Sequence, residues 1–232
     1  MKQTYKIHAM YFLTKQNVVL LLLTSFLCIL YFCVRVLISF ESRNALQDAW
    51  AYQQECLFLI NYVFILYVVS MHTTLFLRRN ISYAVLLLSR GVSRVEFIVK
   101  KFLLLWWFLG MLLCFLFVIQ RLLGIVFYYD YSSIAIDYVS YLYLFLVILL
   151  YGLYSSLVTL LQDAPVIPIF VFCWYMVSSM IQEGSNPPVF LELLFPVISI
   201  ETTIYLLDIV KILVLIGCIF WVNVVLYISK EL

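Results

Sequence analysis

The 232-residue sequence is 66% hydrophobic and 11% charged, with a mean hydropathy of +1.11. Soluble domains carry roughly 45–50% apolar and about 25% charged residues, so the composition excludes a water-soluble globule and points to an all-α polytopic membrane protein. A crossing helix takes roughly 20 residues. About six such helices with short connections use most of the length, and no nucleotide-binding or sensor domain is expected within it.

Residues 2–16 (KQTYKIHAMYFLTKQ) set Tyr5, Ala9, Phe12 and Leu13 on one helical face, with Lys2 and Lys6 off it. This pattern predicts an amphipathic helix lying in the membrane interface. Six apolar spans follow over 17–38, 56–77, 102–122, 138–161, 166–182 and 209–228. The first is too long for a cleavable signal and lacks a small-residue cleavage site. ESRNALQDAWAYQQE reads as a polar loop between the first two spans, and Gln162 to Pro165 as a tight connection between the fourth and fifth.

Pro187 and Pro188 break the chain after the fifth span. The stretch 186–207 is apolar but carries Glu192, Pro196 and Glu201. A charged residue at the centre of a span costs about 2.5–3.5 kcal/mol even on an insertion scale. The stretch is therefore expected to form one or two short helices dipping into the outer leaflet. Irregular backbone at that depth needs cover from protein or a wet cavity.

Orientation follows from the basic residues. With the N-terminus inside, Lys2, Lys6, Lys15, Arg78, Arg79, Arg90, Arg94, Lys100, Lys101 and Lys230 are cytoplasmic, against Arg35, Arg121, Arg43 and Lys211 outside. The carboxylates run the other way. Both termini are expected in the cytoplasm of a plasma membrane, bacterial in character. Trp50, Tyr52, Tyr128, Tyr129 and Tyr138 suit the interfacial belts.

Catalytic chemistry is sparse. No GxxxxGK[ST] or GxGxxG run occurs, so no nucleotide site, catalytic residue or cofactor is expected in this chain. His8 and His72 share no HExxH, and no GxSxG-like serine stands in a span. The six cysteines form no CxxC pair and read as small buried hydrophobes. Arg35, Arg121 and Lys211 lie near outer span ends, where they can snorkel. No acidic series crosses the membrane, which argues against an ion-coupled carrier. Walls of Leu, Phe, Val, Ile and Tyr suit amphipathic or lipid-like cargo better than small ions.

The most informative stretch is residues 78–101, RRNISYAVLLLSRGVSRVEFIVKK, which holds most of the cytoplasmic positive charge. Gly91 gives the backbone freedom for a turn. Ser93 followed by Glu96 is a capping box, so a helix is expected to start at Arg94 and lead into the third span. Flanking charge alone explains the Arg and Lys residues but not the apolar run 81–88 or the capped turn.

With that loop in place, the chain resembles the membrane subunit of ABC-2 type ABC transporters over its full length. The shared pattern is an interfacial N-terminal helix, six spans with both ends inside, a cytoplasmic coupling helix between spans two and three, and a broken outer segment between spans five and six. LLSRGVSRVEFIVKKFL (Leu87 to Leu103) looks like the family's loop, with Arg90-Gly91-Val92 where many relatives have a proline. The resemblance implies a permease paired with a second, identical or similar, permease and a separate cytoplasmic ATPase that binds ATP and Mg. It implies docking by Arg90, Gly91, Val92, Ser93, Arg94 and Phe97. It also implies export of a hydrophobic or amphipathic cargo, with a peptide antibiotic or bacteriocin the first candidate. Two other classes fit the span number: a six-span substrate-capture subunit of an importer, and a non-transporting membrane scaffold.

Overall fold

A computed structural model of the chain describes residues 15–39, 45–77, 93–128, 138–182, 188–198 and 206–229. The described residues form helices α1 (Lys15–Ser39), α2 (Ala45–Phe76), α3 (Arg94–Phe127), α4 (Tyr138–Gln162), α5 (Ile167–Gln182), α6 (Val189–Leu194) and α7 (Leu206–Ser229). Of these, α1, α2, α3, α4 and α7 are long and apolar enough to cross a membrane. The protein is therefore an integral membrane protein whose described residues are built from helices.

The long helices alternate in direction. At one end of the bundle the starts of α3 and α5 meet the ends of α2, α4 and α7. We call this the basic end, since Arg94, Lys100 and Lys101 stand there. At the far end the close of α1 and α3 meets the first turns of α2 and α4. The α4 helix is central and packs on α2, α7 and α5, while α2 also packs on α1 and α5. The α1, α3 and α7 helices turn long apolar faces outward, among them Leu22, Leu37, Trp107, Val126, Val214 and Trp221.

Two boundaries differ from the sequence reading. The stretch read as a polar loop is helical from Ala45, making α2 32 residues long. Between Ala45 and Glu55 there is neither Gly nor Pro, and Ala, Leu, Gln and Glu are good helix formers, so polarity there marks a helix rising out of the apolar layer. The helix expected at Arg94 and the third span are one uninterrupted helix of 34 residues. The fifth apolar segment is only 16 residues long, about 24 Å at 1.5 Å per residue.

The connection after α4 is as tight as expected. Asp163 takes a positive φ of 52°, its N–H returns 2.9 Å to the Thr159 carbonyl, and Pro165 prevents the helix from resuming at once. Pro168 then falls in the first turn of α5, where a missing N–H costs nothing.

Of the stretch 186–207, residues 206–207 open α7, and residues 188–198 are the others described. They form the six-residue α6 and a non-helical run after it. The carbonyls there are held by side chains. Gln182 Nε2 donates to the Phe195 carbonyl at 2.7 Å, and the Tyr154 hydroxyl donates to the Leu194 carbonyl at 2.5 Å. The Phe195 ring packs between Tyr154 and Trp174, with centroids 5.4 and 5.3 Å away. The expected interfacial helix over 2–16 lies outside the described residues, apart from Lys15 and Gln16 at the start of α1.

Candidate functional site

The basic end is built on the first turns of α3. Ser93 has extended backbone (φ −67°, ψ 149°), and its Oγ accepts the Glu96 N–H at 3.1 Å, as the capping box predicts. Glu96 pairs with Lys100 one turn on. The face at 94, 97, 101 and 102 then turns inward, as helical spacing requires. Arg94 Nη1 donates to the Ile228 carbonyl at 3.0 Å, supplying a cation and a donor to the last turn of α7. Phe97 has no exposed surface and stacks on Tyr227 of α7, 5.9 Å between centroids and 15° between planes. Lys101 is buried, and its Nζ donates to the Leu75 carbonyl at the close of α2. That ammonium stands 4.5 Å from the Phe76 centroid and 5.7 Å from that of Phe97, a cation–π arrangement. Phe102 stacks on Phe76 at 4.9 Å and meets Phe220 of α7 edge-on at 5.4 Å.

The start of α3 thus ties the ends of α2 and α7 together. This changes the reading of the expected docking residues. Phe97 is a packing residue within the bundle, and Arg94 reaches to α7. Ser93 is exposed and caps its own helix. Arg90, Gly91 and Val92 lie outside the described residues.

A second polar constellation follows α4 through the interior. His72 of α2 is fully buried against Gly152 of α4, and neither ring nitrogen has a hydrogen bond among the described residues. One turn beyond Gly152, Ser155 shares a 2.7 Å hydrogen bond with Thr73, the neighbour of His72, and also donates to the Val69 carbonyl at 2.8 Å. Ser156 donates to Asn223 Oδ1 of α7 at 3.0 Å, and Asn223 Nδ2 returns to the Leu153 carbonyl at 3.2 Å. Toward the middle of the bundle, Asn61 of α2 donates to the Tyr175 hydroxyl of α5. Tyr62 and Ser179 join at 3.0 Å, and the Tyr151 ring meets Tyr175 edge-on at 4.7 Å. Sequence reasoning passed over this seam. Its signal is the small-residue spacing in YGLYSSLVT, with Gly152 and Ser156, and Ser155 and Thr159, each four apart.

At the far end, Arg35 forms a bidentate pair with Glu55, to which the Tyr31 hydroxyl also donates at 3.2 Å. The snorkelling expected for Arg35 is therefore an ion pair between α1 and α2. Lys211 pairs with Asp208 at 3.1 Å on the exposed start of α7.

A cavity of about 410 Å³ opens sideways between α3 and α4. The α3 wall is Gly110, Leu113, Cys114 and Phe117. The α4 wall is Tyr138, Tyr141, Leu142 and Phe145, with Ile60 of α2 at the floor. Both walls follow i, i+3, i+4, i+7 spacing, one face of each helix. Among the described residues, no group of three His, Cys, Asp or Glu side chains could hold a metal ion. The cysteines there are free, with Cys28 and Cys56 buried and Cys33, Cys114, Cys173 and Cys218 exposed.

No protein-family model matches this chain, and neither a curated protein nor a solved structure matches it.

Proposed function

We propose that this chain is the membrane subunit of an ATP-driven ABC-2 type exporter. It would cross the membrane six times with both termini cytoplasmic and move a hydrophobic or amphipathic cargo, best represented by a peptide antibiotic or bacteriocin. In this reading α5 is the sixth crossing. Its short length is accommodated by α6 and residues 195–198, which dip into the outer leaflet above it. The ATP and Mg chemistry belongs to a partner ATPase, and a second permease completes the transport path.

The observation that carries the reading is the clamp at the start of α3. A partner pressing on the basic segment 78–94 would meet a helix that runs unbroken for 34 residues and holds the ends of α2 and α7. A push there is delivered to three helices at once, which suits a device that converts ATPase closure into rocking of the spans. A merely charged flank needs neither Lys101 buried at the α2 terminus nor Arg94 at the α7 terminus. The docking surface itself is assigned to Arg90, Gly91, Val92 and the exposed edge at Ser93, with Arg94 and Phe97 as positioning residues behind it.

The test is co-purification. The chain is expressed with the ATPase encoded beside it, isolated by a tag on this chain and reconstituted in lipid, and ATP hydrolysis is measured. Stable capture with turnover that depends on this chain is expected, and Arg90→Glu should abolish capture while leaving the bundle folded. No capture, or turnover indifferent to this chain, would overturn the proposal in favour of a substrate-capture subunit or scaffold.

A further inference from the structure

We infer that a water molecule is bound inside the bundle between α2, α4 and α5, accepting from the hydroxyls of Tyr151 and Ser178 and donating to the amide oxygen of Asn61. The inference goes beyond the transporter reading and stands whether or not an ATPase drives the chain.

The interior polar groups of α4 and α5 differ in whether their hydrogen bonds close. From Ser155 onward α4 is fully bonded. Ser155 pairs with Thr73, Ser156 with Asn223, and Thr159 donates to the Ser155 carbonyl at 2.7 Å. Around Tyr175 of α5 the bonding is left open. Asn61, Tyr151 and Ser178 are each at most 1% exposed. Yet Asn61 Oδ1, the Tyr151 hydroxyl and Ser178 Oγ have no hydrogen-bond partner among the described residues.

Tyr175 gathers the three. Asn61 Nδ2 donates to its hydroxyl, and the Tyr151 ring meets its ring at 4.7 Å. Ser178 follows one turn later on the same face of α5, with its side chain beside the Tyr151 hydroxyl. Closing Tyr151 onto Ser178 would still leave the Ser178 proton and the Asn61 oxygen over. Turning the Asn61 amide does not help either, because one of its two polar atoms always remains.

The open atoms choose the occupant. They are one carbonyl oxygen and two hydroxyls, none of them charged, so what they lack is a small neutral molecule that both donates and accepts. Hydrocarbon supplies neither function. A buried water makes about three such bonds. Ordering it costs less than leaving a carbonyl and two hydroxyls unpaired inside a membrane. A polar way in lies toward the far end. The Tyr143 hydroxyl of α4 stands near Tyr151 and Tyr175 on one side and near Glu192 of α6 and Asp208 of α7 on the other.

The test is X-ray radiolytic footprinting of the full chain in nanodiscs. Hydroxyl radicals made from a bound water label the side chains that hold it, even where bulk solvent does not reach. Tyr151 is expected to label severalfold above Phe64, a ring of α2 that is equally buried, after correction for the reactivity of the two ring types. Ser178→Ala removes one of the water's bonds and should lower the Tyr151 yield severalfold. Labelling of Tyr151 at the Phe64 level, or a Tyr151 yield unchanged by Ser178→Ala, would overturn the site.

The thermal transition of Ser178→Ala gives a second readout in which the sign decides. Removing a hydroxyl that holds a water loses a hydrogen bond, so the transition should fall. Removing a hydroxyl with no partner relieves the penalty of burying it, so a transition that rises or stays in place would overturn the proposal. A fall together with an unlabelled Tyr151 would overturn it too, since Ser178 would then be bonded directly to protein.

Discussion

The α2 and α4 helices differ from α1, α3 and α7 in what surrounds them. Within their most apolar stretches, 67% of α2 and 72% of α4 is buried, against 22% of α1, 22% of α3 and 28% of α7. The buried pair is not the more hydrophobic. It carries Asn61, His72 and Thr73 on α2, and Gly152, Ser155, Ser156 and Thr159 on α4. In water the inside of a protein is marked by apolar side chains. In a bilayer both sides of a helix are apolar, so the interior is marked by small residues that allow close approach and by polar groups that must be paired. Six substitutions test that contrast.

The largest effect is expected at Gly152. A Cβ on this residue would stand 2.1 Å from His72 Nδ1 and 2.6 Å from Val68 Cγ1, so α2 and α4 would have to part. Gly152→Ala should destabilise the bundle by roughly 3 kcal/mol, the upper end of overpacking costs, read as an earlier thermal transition in nanodiscs. His72→Ala in the same chain removes the obstructing ring and should recover about half of the loss, as contacting residues couple. No recovery would mean that the α2–α4 contact is not set by this pair.

The next step is a matched pair of leucines. Leu150 of α4 has no exposed surface, whereas Leu213 of α7 is half exposed. Leu150→Ala leaves a cavity that packed neighbours cannot fill and should cost about 2 kcal/mol, the low end of the range in soluble cores, since the transfer contribution is small in lipid. Measuring both variants in one lipid separates the cavity cost from any general effect of trimming leucine. Equal effects at the two sites would erase the contrast between buried and outward helices.

How much of this was legible in the sequence depends on the same physics. Hydropathy marks where helices are, and the five long helices fall where apolar runs occur. The capped start of α3 was also legible, because Ser93 and Glu96 stand at a spacing whose chemistry is local. The start of α2 was not, because polarity around Gln47 to Glu55 suits irregular backbone as well as a run of helix-forming residues that carries a span out of the apolar layer. Which helices lie inside was not legible from hydropathy, since lipid and protein interior look alike on that scale. The inward turn of Phe97 was hidden for a related reason. A phenylalanine at the edge of a span suits an interface, a partner or a neighbouring helix equally, and only the position of Tyr227, more than a hundred residues away, decides among them. The sideways cavity was out of reach as well, because Gly110 and Phe145 come together only through the packing of α3 beside α4.

A smaller effect is expected where the interior is held by a hydrogen bond. Asn223 is fully buried and joins α7 to α4 through Ser156 Oγ at 3.0 Å and the Leu153 carbonyl at 3.2 Å. Asn223→Ala should cost about 1 kcal/mol, in line with interhelical hydrogen bonds measured in membranes, and Ser156→Ala less, since Asn223 Nδ2 keeps its carbonyls. A loss far above this would point to Asn223 holding a larger network than the two bonds described.

The smallest effect belongs to the outward partner of the leucine pair. Leu213→Ala on α7 removes hydrocarbon that faces hydrocarbon, so lipid chains close over the vacated space and no cavity persists. Its expected cost is within about 0.5 kcal/mol of zero, the range of surface substitutions away from special features. The same thermal measurement serves, repeated at two lipid chain lengths. If Leu213→Ala destabilised the chain in both, α7 would be covered by something that packs like protein, and its outward face would have to be reassigned from lipid to a second subunit.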